Sequence, residues 1–233
     1  MRVAEIYASV QGEGFLTGTP SVFVRASGCN LRCGYCDTPY ASWNPEGDDL
    51  SVDDICQQVS RLGTHHVVLT GGEPMLFAEL VPLCDQLHQA GLHITIETAG
   101  TLFLPLHCDL MSVSPKLSNS TPTLHPVHGP VSPRWLERHE RTREAPAVVR
   151  RLVAAYTCQL KFVVASSADL DEIERYLADF PEIKRTGILL MPEGTTAAQL
   201  ARVTTWLEPA CVQRGWRFCP RRQIEWFGGR RGT

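Results

Sequence analysis

The chain has 233 residues, 43% of them hydrophobic and 20% charged, which is enough to bury a sizeable core. A formal net charge of −3 argues against a partner held by a broad basic surface, such as a nucleic acid or an anionic membrane, and leaves Arg-rich stretches such as Arg141 to Arg151 as local exceptions. Met1 to Tyr7 hold no apolar core of signal-peptide length and no later run approaches a membrane span, so a cytoplasmic protein acting on a small molecule is expected.

In chain order, Val10-Gln11-Gly12-Glu13-Gly14 comes first, a segment whose two glycines allow the backbone to approach a ligand or simply to turn. Ser21 to Ala26 reads as the first clear strand, β-branched and aromatic with one charge in it. That charge, Arg25, needs either a protein carboxylate or an anionic substrate, because arginine is rarely buried unpaired. Cys29, Cys33 and Cys36 follow at the spacing C-x-x-x-C-x-x-C. Three thiolates this close point to one shared object. It could be a 4Fe–4S cluster with one iron left open, a zinc ion completed by a distant Cys or His, or three thiols brought together by packing. The other cysteines, Cys56, Cys84, Cys108, Cys158, Cys211 and Cys219, lie in or beside apolar segments and are expected to be buried thiols in a reducing compartment.

From Ser51 onward the chain alternates. Val52, Ile55, Cys56, Val59 and Leu62 are spaced for a helix capped by Ser51, and His66 to Thr70 is a short strand that runs into Gly71-Gly72-Glu73-Pro74. A helix from about Leu76 to Ala90, stopped by Gly91, precedes strands at Leu92 to Glu97 and Cys108 to Val113, the second ending in Ser114-Pro115-Lys116. Between about 117 and 150 the pattern breaks into an irregular insertion, partly helical near Pro133 to His139. His125 and His128 there have a metal-like spacing that a solvated loop explains as well. Strands at Gln159 to Val164, Gly187 to Met191 and Trp216 to Cys219 then alternate with helices at Ala168 to Phe180 and Thr196 to Arg214. Strand–helix repeats of this size build right-handed parallel units, and six to seven strands fall short of a closed eight-stranded barrel. The expectation is an α/β chain of one domain, 1–233, forming a partial (β/α)6-type barrel with its site at the carboxyl ends of the strands.

The cysteine motif after the first strand, joined to Gly71-Gly72-Glu73-Pro74 after the second, resembles the radical S-adenosylmethionine (radical SAM) superfamily. In that superfamily the open iron of the cluster is chelated by SAM, and reductive cleavage of SAM gives a 5'-deoxyadenosyl radical. Gln11 to Gly14, Arg25, Cys36-Asp37-Thr38, Thr70 to Pro74, Glu97 to Gly100 and Ser114 to Lys116 together are similar to the 7-carboxy-7-deazaguanine synthase family.

That family converts 6-carboxy-5,6,7,8-tetrahydropterin to 7-carboxy-7-deazaguanine with loss of ammonia in queuosine biosynthesis. The resemblance implies a 4Fe–4S cluster, SAM and Mg2+, an electron donor such as flavodoxin and a homodimer. It implies Cys29, Cys33 and Cys36 as cluster ligands and Thr38 as magnesium ligand, with Tyr35, Cys36, Asp37, Gly72, Ser114, Pro115 and Lys116 around SAM. Val10, Gln11, Gly12, Arg25 and Thr70 would contact the pterin. Gln223 would do so too, standing where the family often has a histidine. No protein side chain is expected to act as catalyst beyond the cluster and SAM. Two other readings share the cysteine motif, a radical SAM activase that installs a glycyl radical on a partner protein and a non-enzymatic iron–sulfur or zinc regulator.

Overall fold

The computed structural model describes residues 1–123 and 128–233, so His125 lies outside the described residues. Nine strands form one sheet: β1 (Arg2–Val10), β2 (Pro20–Ala26), β3 (Asp48–Asp49), β4 (His66–Gly71), β5 (His93–Thr98), β6 (Leu110–Val113), β7 (Cys158–Val164), β8 (Ile188–Pro192) and β9 (Arg217–Phe218). Their order is β3-β1-β2-β4-β5-β6-β7-β8-β9, parallel from β2 to β9 and antiparallel at β1 and β3. The sheet does not close on itself, which makes it the partial barrel expected from the strand count.

Between the parallel strands run α2 (Val52–Leu62), α3 (Leu80–Gln89), α5 (Pro146–Ala155), α6 (Ser167–Ala178) and α7 (Ala197–Arg214). The short α1 (Pro39–Ser42), α4 (Pro133–Arg143) and α8 (Arg222–Phe227) complete the set. The start of α2 is written locally: Ser51 accepts from the Asp54 N–H and the Asp54 carboxylate answers Ser51 N–H, a reciprocal cap. The helices cover one face of the sheet, where Val22, Val24, Val67, Leu69, Ile94, Ile96, Leu160, Phe162 and Leu190 are buried in one cluster with Ile55, Leu83 and Ile173. Residues of alternate parity on the same strands, such as Val163, Leu189 and Met191, point inward against Tyr35. No described helix is long and apolar enough to cross a membrane.

Three elements differ from the sequence expectation. The first strand is β1, whose alternating polar residues pair in register with β2, Glu5 opposite Arg25 and Tyr7 opposite Phe23. The segment 117–150 is more regular than an irregular insertion, since α4 and the start of α5 fall within it, each with proline in its first turn where the missing N–H costs nothing. The C-terminal α8 follows the last strand, and its Arg222 N–H donates to Gly12 O at 3.0 Å, which brings the tail onto the Val10–Gly14 loop.

Candidate active site

At the carboxyl ends of the parallel strands a cavity of 450 Å³ opens. Of the site residues expected from the sequence, Pro115 alone does not line it; that residue is buried and shapes the turn in which Lys116 Nζ donates to Ser114 O at 2.8 Å and to Ser114 Oγ at 2.7 Å. Cys29, Cys33 and Cys36 all reach the cavity wall, and none is in a disulfide.

The cysteine loop leaves β2 at Ala26 and is held from several sides. Leu31 N–H points at Cys29 Sγ at 3.4 Å, Trp43 Nε1 donates to Cys33 O at 3.1 Å, and Ser42 Oγ lies 3.0 Å from Cys36 Sγ. The buried His139 of α4 accepts from the Arg32 backbone N–H through Nδ1 at 3.1 Å, so the neutral ring carries its proton on Nε2, 3.0 Å from Ser120 Oγ. Burial pushes the Cys29 thiol up to about 12 and raises Cys33 and Cys36 as well. Protein groups therefore do not ionise these sulfurs; a bound metal centre does so outright. A closed zinc site needs its ligands about 2.0 to 2.3 Å from one point. Among the described residues no three His, Cys, Asp or Glu side chains are placed for a single ion. Three sulfurs spread over the wall of one cavity suit the larger body of a cluster, and no fourth cysteine lines that cavity among the described residues.

The Gly71-Gly72-Glu73-Pro74 segment divides its work between backbone and side chain. Gly72 lines the cavity against the cysteine loop, and a Cβ there would sit 2.2 Å from Gly28 O, so only glycine permits this approach. Glu73 turns the other way. Fully buried, its carboxylate accepts from Met75 N–H at 3.0 Å, Ala99 N–H at 2.8 Å and Thr98 Oγ1 at 2.8 Å, which clamps the loop after β4 to the end of β5.

The opposite wall carries a polar network that the sequence reading missed. Glu13 pairs with Lys161 at 2.5 Å and with Arg221 at 3.2 Å and accepts from Gln223 Nε2 at 2.5 Å. Lys161 also meets Glu97 at 3.2 Å, Glu97 accepts from Thr70 Oγ1 at 2.9 Å, and Arg221 pairs with Asp37. Burial opposes ionisation of Glu13, yet the Lys161 and Arg221 cations overcome it and bring the carboxyl down to about 2. For Lys161 a signal existed: it is a lone charge in an apolar strand, as Arg25 is.

For Arg25 the two alternatives resolve toward the protein carboxylate. Its Nε donates to Glu5 at 2.6 Å and its Nη2 to Tyr7 Oη at 3.0 Å, while Tyr40 Oη donates to the same Glu5 oxygen at 2.8 Å. Arg25 still lines the cavity, so the role of an unpaired cation held for substrate is corrected to one shared with Glu5. Gln223 also lines the cavity, with Oε1 buried and unbonded, and it packs so closely on Gly12 that a Cβ there would lie 2.6 Å from its backbone nitrogen. Thr38 lines the wall with its hydroxyl 3.8 Å from Cys36 Sγ, a single hard oxygen that suits Mg2+ completed by water and substrate.

An open parallel barrel whose cysteine loop and glycine pair follow neighbouring strands has the architecture of a radical SAM enzyme, and the model of the radical SAM superfamily matches residues 23–153, more than half of the chain. The 7-carboxy-7-deazaguanine synthase of Rhodopirellula baltica is 48% identical over 99% of this chain and 88% of its own length. That of Halobacterium salinarum is 44% identical over 95% and 88%. The crystal structure of QueE from Escherichia coli superposes with a TM-score of 0.67 at 26% identity, covering 95% of this chain and 93% of that one. SuiB from Streptococcus suis, 16% identical with a TM-score of 0.53 over 85% of this chain and 48% of its own, shares the fold alone. The chain belongs to the 7-carboxy-7-deazaguanine synthase family of the radical SAM superfamily.

Proposed function

We propose that the chain converts 6-carboxy-5,6,7,8-tetrahydropterin to 7-carboxy-7-deazaguanine with release of ammonia, a carbon–nitrogen lyase reaction in queuosine and 7-deazapurine biosynthesis. The observation that carries this is the near-full-length identity of 48% to a synthase of that name, in a chain whose three motif cysteines open on one cavity. When bound, the 4Fe–4S cluster, SAM and Mg2+ of this family supply the radical that removes hydrogen from carbon 6 of the pterin and the cation that holds its carboxylate.

The chain's own share is positioning and electrostatics. Cys29, Cys33 and Cys36 hold the cluster, and Gly72 with Tyr35, Asp37, Ser114 and Lys116 lines the space for SAM. Val10, Gln11, Gly12, Thr70 and Gln223 line the space for the pterin. Arg25 spends Nε on Glu5 and one Nη2–H on Tyr7, and its remaining N–H groups are directed to the substrate carboxylate; a guanidinium has five donors to share. Lys161, held between Glu13 and Glu97, keeps the inner wall charged but balanced. Residues 1–233 act as one domain, supported by the single nine-stranded sheet. We assign a cytoplasmic homodimer served by a donor such as flavodoxin; free cysteines throughout the chain suit a reducing compartment.

The test is product analysis after anaerobic reconstitution with SAM, Mg2+ and the carboxypterin, by mass spectrometry for 7-carboxy-7-deazaguanine. Thr38→Ala is expected to keep the cluster absorbance and to shift the magnesium dependence of the rate to higher concentration. An unchanged magnesium titration would make the hydroxyl a loop hydrogen bond and no ligand.

A further inference from the structure

The cysteine loop is fastened to a helix whose outer face the reaction leaves unused. On the inner side of α4, the buried His139 bonds the Arg32 backbone and the Trp135 ring receives the Arg32 guanidinium at 3.9 Å. Positions 135 and 139 are one turn apart, so both face the loop that carries the cysteines. Positions 134, 138 and 141 repeat at the same helical spacing on another face, and each is an exposed arginine. Glu140 is taken by Arg143 at 2.8 Å, which leaves Glu137 among those three cations. Arg134, Glu137, Arg138, Arg141 and Thr142 surround a groove on this surface, and Arg138 also lies over Trp135 at 4.8 Å. In a chain of net charge −3 this is a local concentration of positive charge, and it stands beside the loop into which an electron must be delivered.

We propose that this face of α4 docks an acidic one-electron carrier protein of small size, bearing a reduced flavin or iron–sulfur centre, where Trp135 and Arg32 join the helix to the cysteine loop. The inference rests on the proposed function, since a cluster held by Cys29, Cys33 and Cys36 must be reduced before SAM is cleaved. The carrier loses one electron and the cluster gains it, and no bond, proton or group changes hands. Small electron-transfer interfaces are steered by charge complementarity, which acts on encounter rate and salt dependence more than on buried area. Guanidinium groups with no carboxylate of their own suit a partner that presents carboxylates in a cluster.

The experiment compares the intact chain with the triple variant Arg134→Glu, Arg138→Glu, Arg141→Glu, and with Arg202→Glu on α7 as a charge control. SAM cleavage to 5'-deoxyadenosine is driven either by enzymatically reduced flavodoxin or by dithionite, a small ion that needs no docking surface. The dissociation constant of flavodoxin is measured separately by calorimetry. The triple variant is expected to raise the flavodoxin KM and dissociation constant by roughly tenfold or more and to flatten their dependence on ionic strength. Its dithionite-driven rate and cluster absorbance should be unchanged, and Arg202→Glu should move neither. Unchanged flavodoxin parameters in the triple variant would overturn the proposal, as would equal losses with both reductants. So would a face that binds RNA in an arginine-dependent way while carrier kinetics stay fixed. Formation of 5'-deoxyadenosine without deazaguanine would instead overturn the function proposed above, while the two reductants would still report on the surface.

Discussion

Lys161 stands in β7 as Arg25 stands in β2, one cation in an otherwise apolar strand, and both are answered by protein carboxylates. A rule that flags Arg25 flags Lys161 equally. Its partners are harder to see from the sequence, because the bonds to Glu13 span 148 residues from Lys161 and 208 from Arg221. The cysteine motif is legible because its geometry is local. Glu13 ionises near 2 in the fold against 4.5 for a free carboxyl, so its ion pairs stabilise the protein above about pH 4.5 and that stabilisation is lost as the pH falls toward 2. Glu13→Gln should therefore make the acid limb of the stability curve shallower and cost about 3 to 5 kcal/mol at neutral pH, as Lys161 and Arg221 lose a buried partner. Urea melts across pH check both effects, and an unaltered acid limb would mean that Glu13 does not carry this linkage. Arg25→Ala is predicted to cost about 3 kcal/mol, near the low end for a broken buried pair, because Tyr40 and Arg231 still reach Glu5. Carboxypterin affinity measured on the same preparation should fall as well; unchanged affinity with lost stability would confine Arg25 to a structural role.

Among the elements, those built on apolar periodicity or a reciprocal cap were readable to within a residue or two at most boundaries, α2 and α7 being the clearest. The strand β1 escaped because one side of it faces a polar cavity, which gives Glu5 and Tyr7 where a core strand would carry apolar residues. The short β3 and β9, two residues each, carry no pattern at all. Helices α4 and α5 lie in a stretch rich in arginine and proline, and their signals are the prolines in the first turn, which can equally mark a loop. Glu73 illustrates how one motif serves two elements, with Gly72 toward the cavity and the carboxylate holding β4 to β5. Glu73→Ala should orphan the Met75 and Ala99 N–H groups and the Thr98 hydroxyl at about 1 to 3 kcal/mol each, and it should broaden or abolish the cooperative melt. Glu73→Gln retains one acceptor oxygen and is expected to lose clearly less. Equal melts for Ala and Gln variants would show that the clamp contributes little.

For the molecule as a whole, the open barrel follows from strand count and parallel order, and it gathers loops from six strand ends around one cavity. The order of those strands was readable because each βαβ unit is right-handed and neighbours its successor. How the barrel mouth is finished was not: the polar tail from Arg221 to Thr233 folds back toward the first strand, with Arg231 on Glu5 and Glu46. Such return contacts depend on tertiary placement and leave no periodic trace. The central claim is that this cavity brings carbon 6 of a carboxypterin to a SAM-derived radical. Carboxytetrahydropterin deuterated at carbon 6, turned over anaerobically by the reconstituted protein, tests it most directly. The account predicts deuterium in the 5'-deoxyadenosyl group together with formation of 7-carboxy-7-deazaguanine, whereas an unlabelled deoxyadenosyl group, or label transfer with no deazaguanine formed, would contradict it.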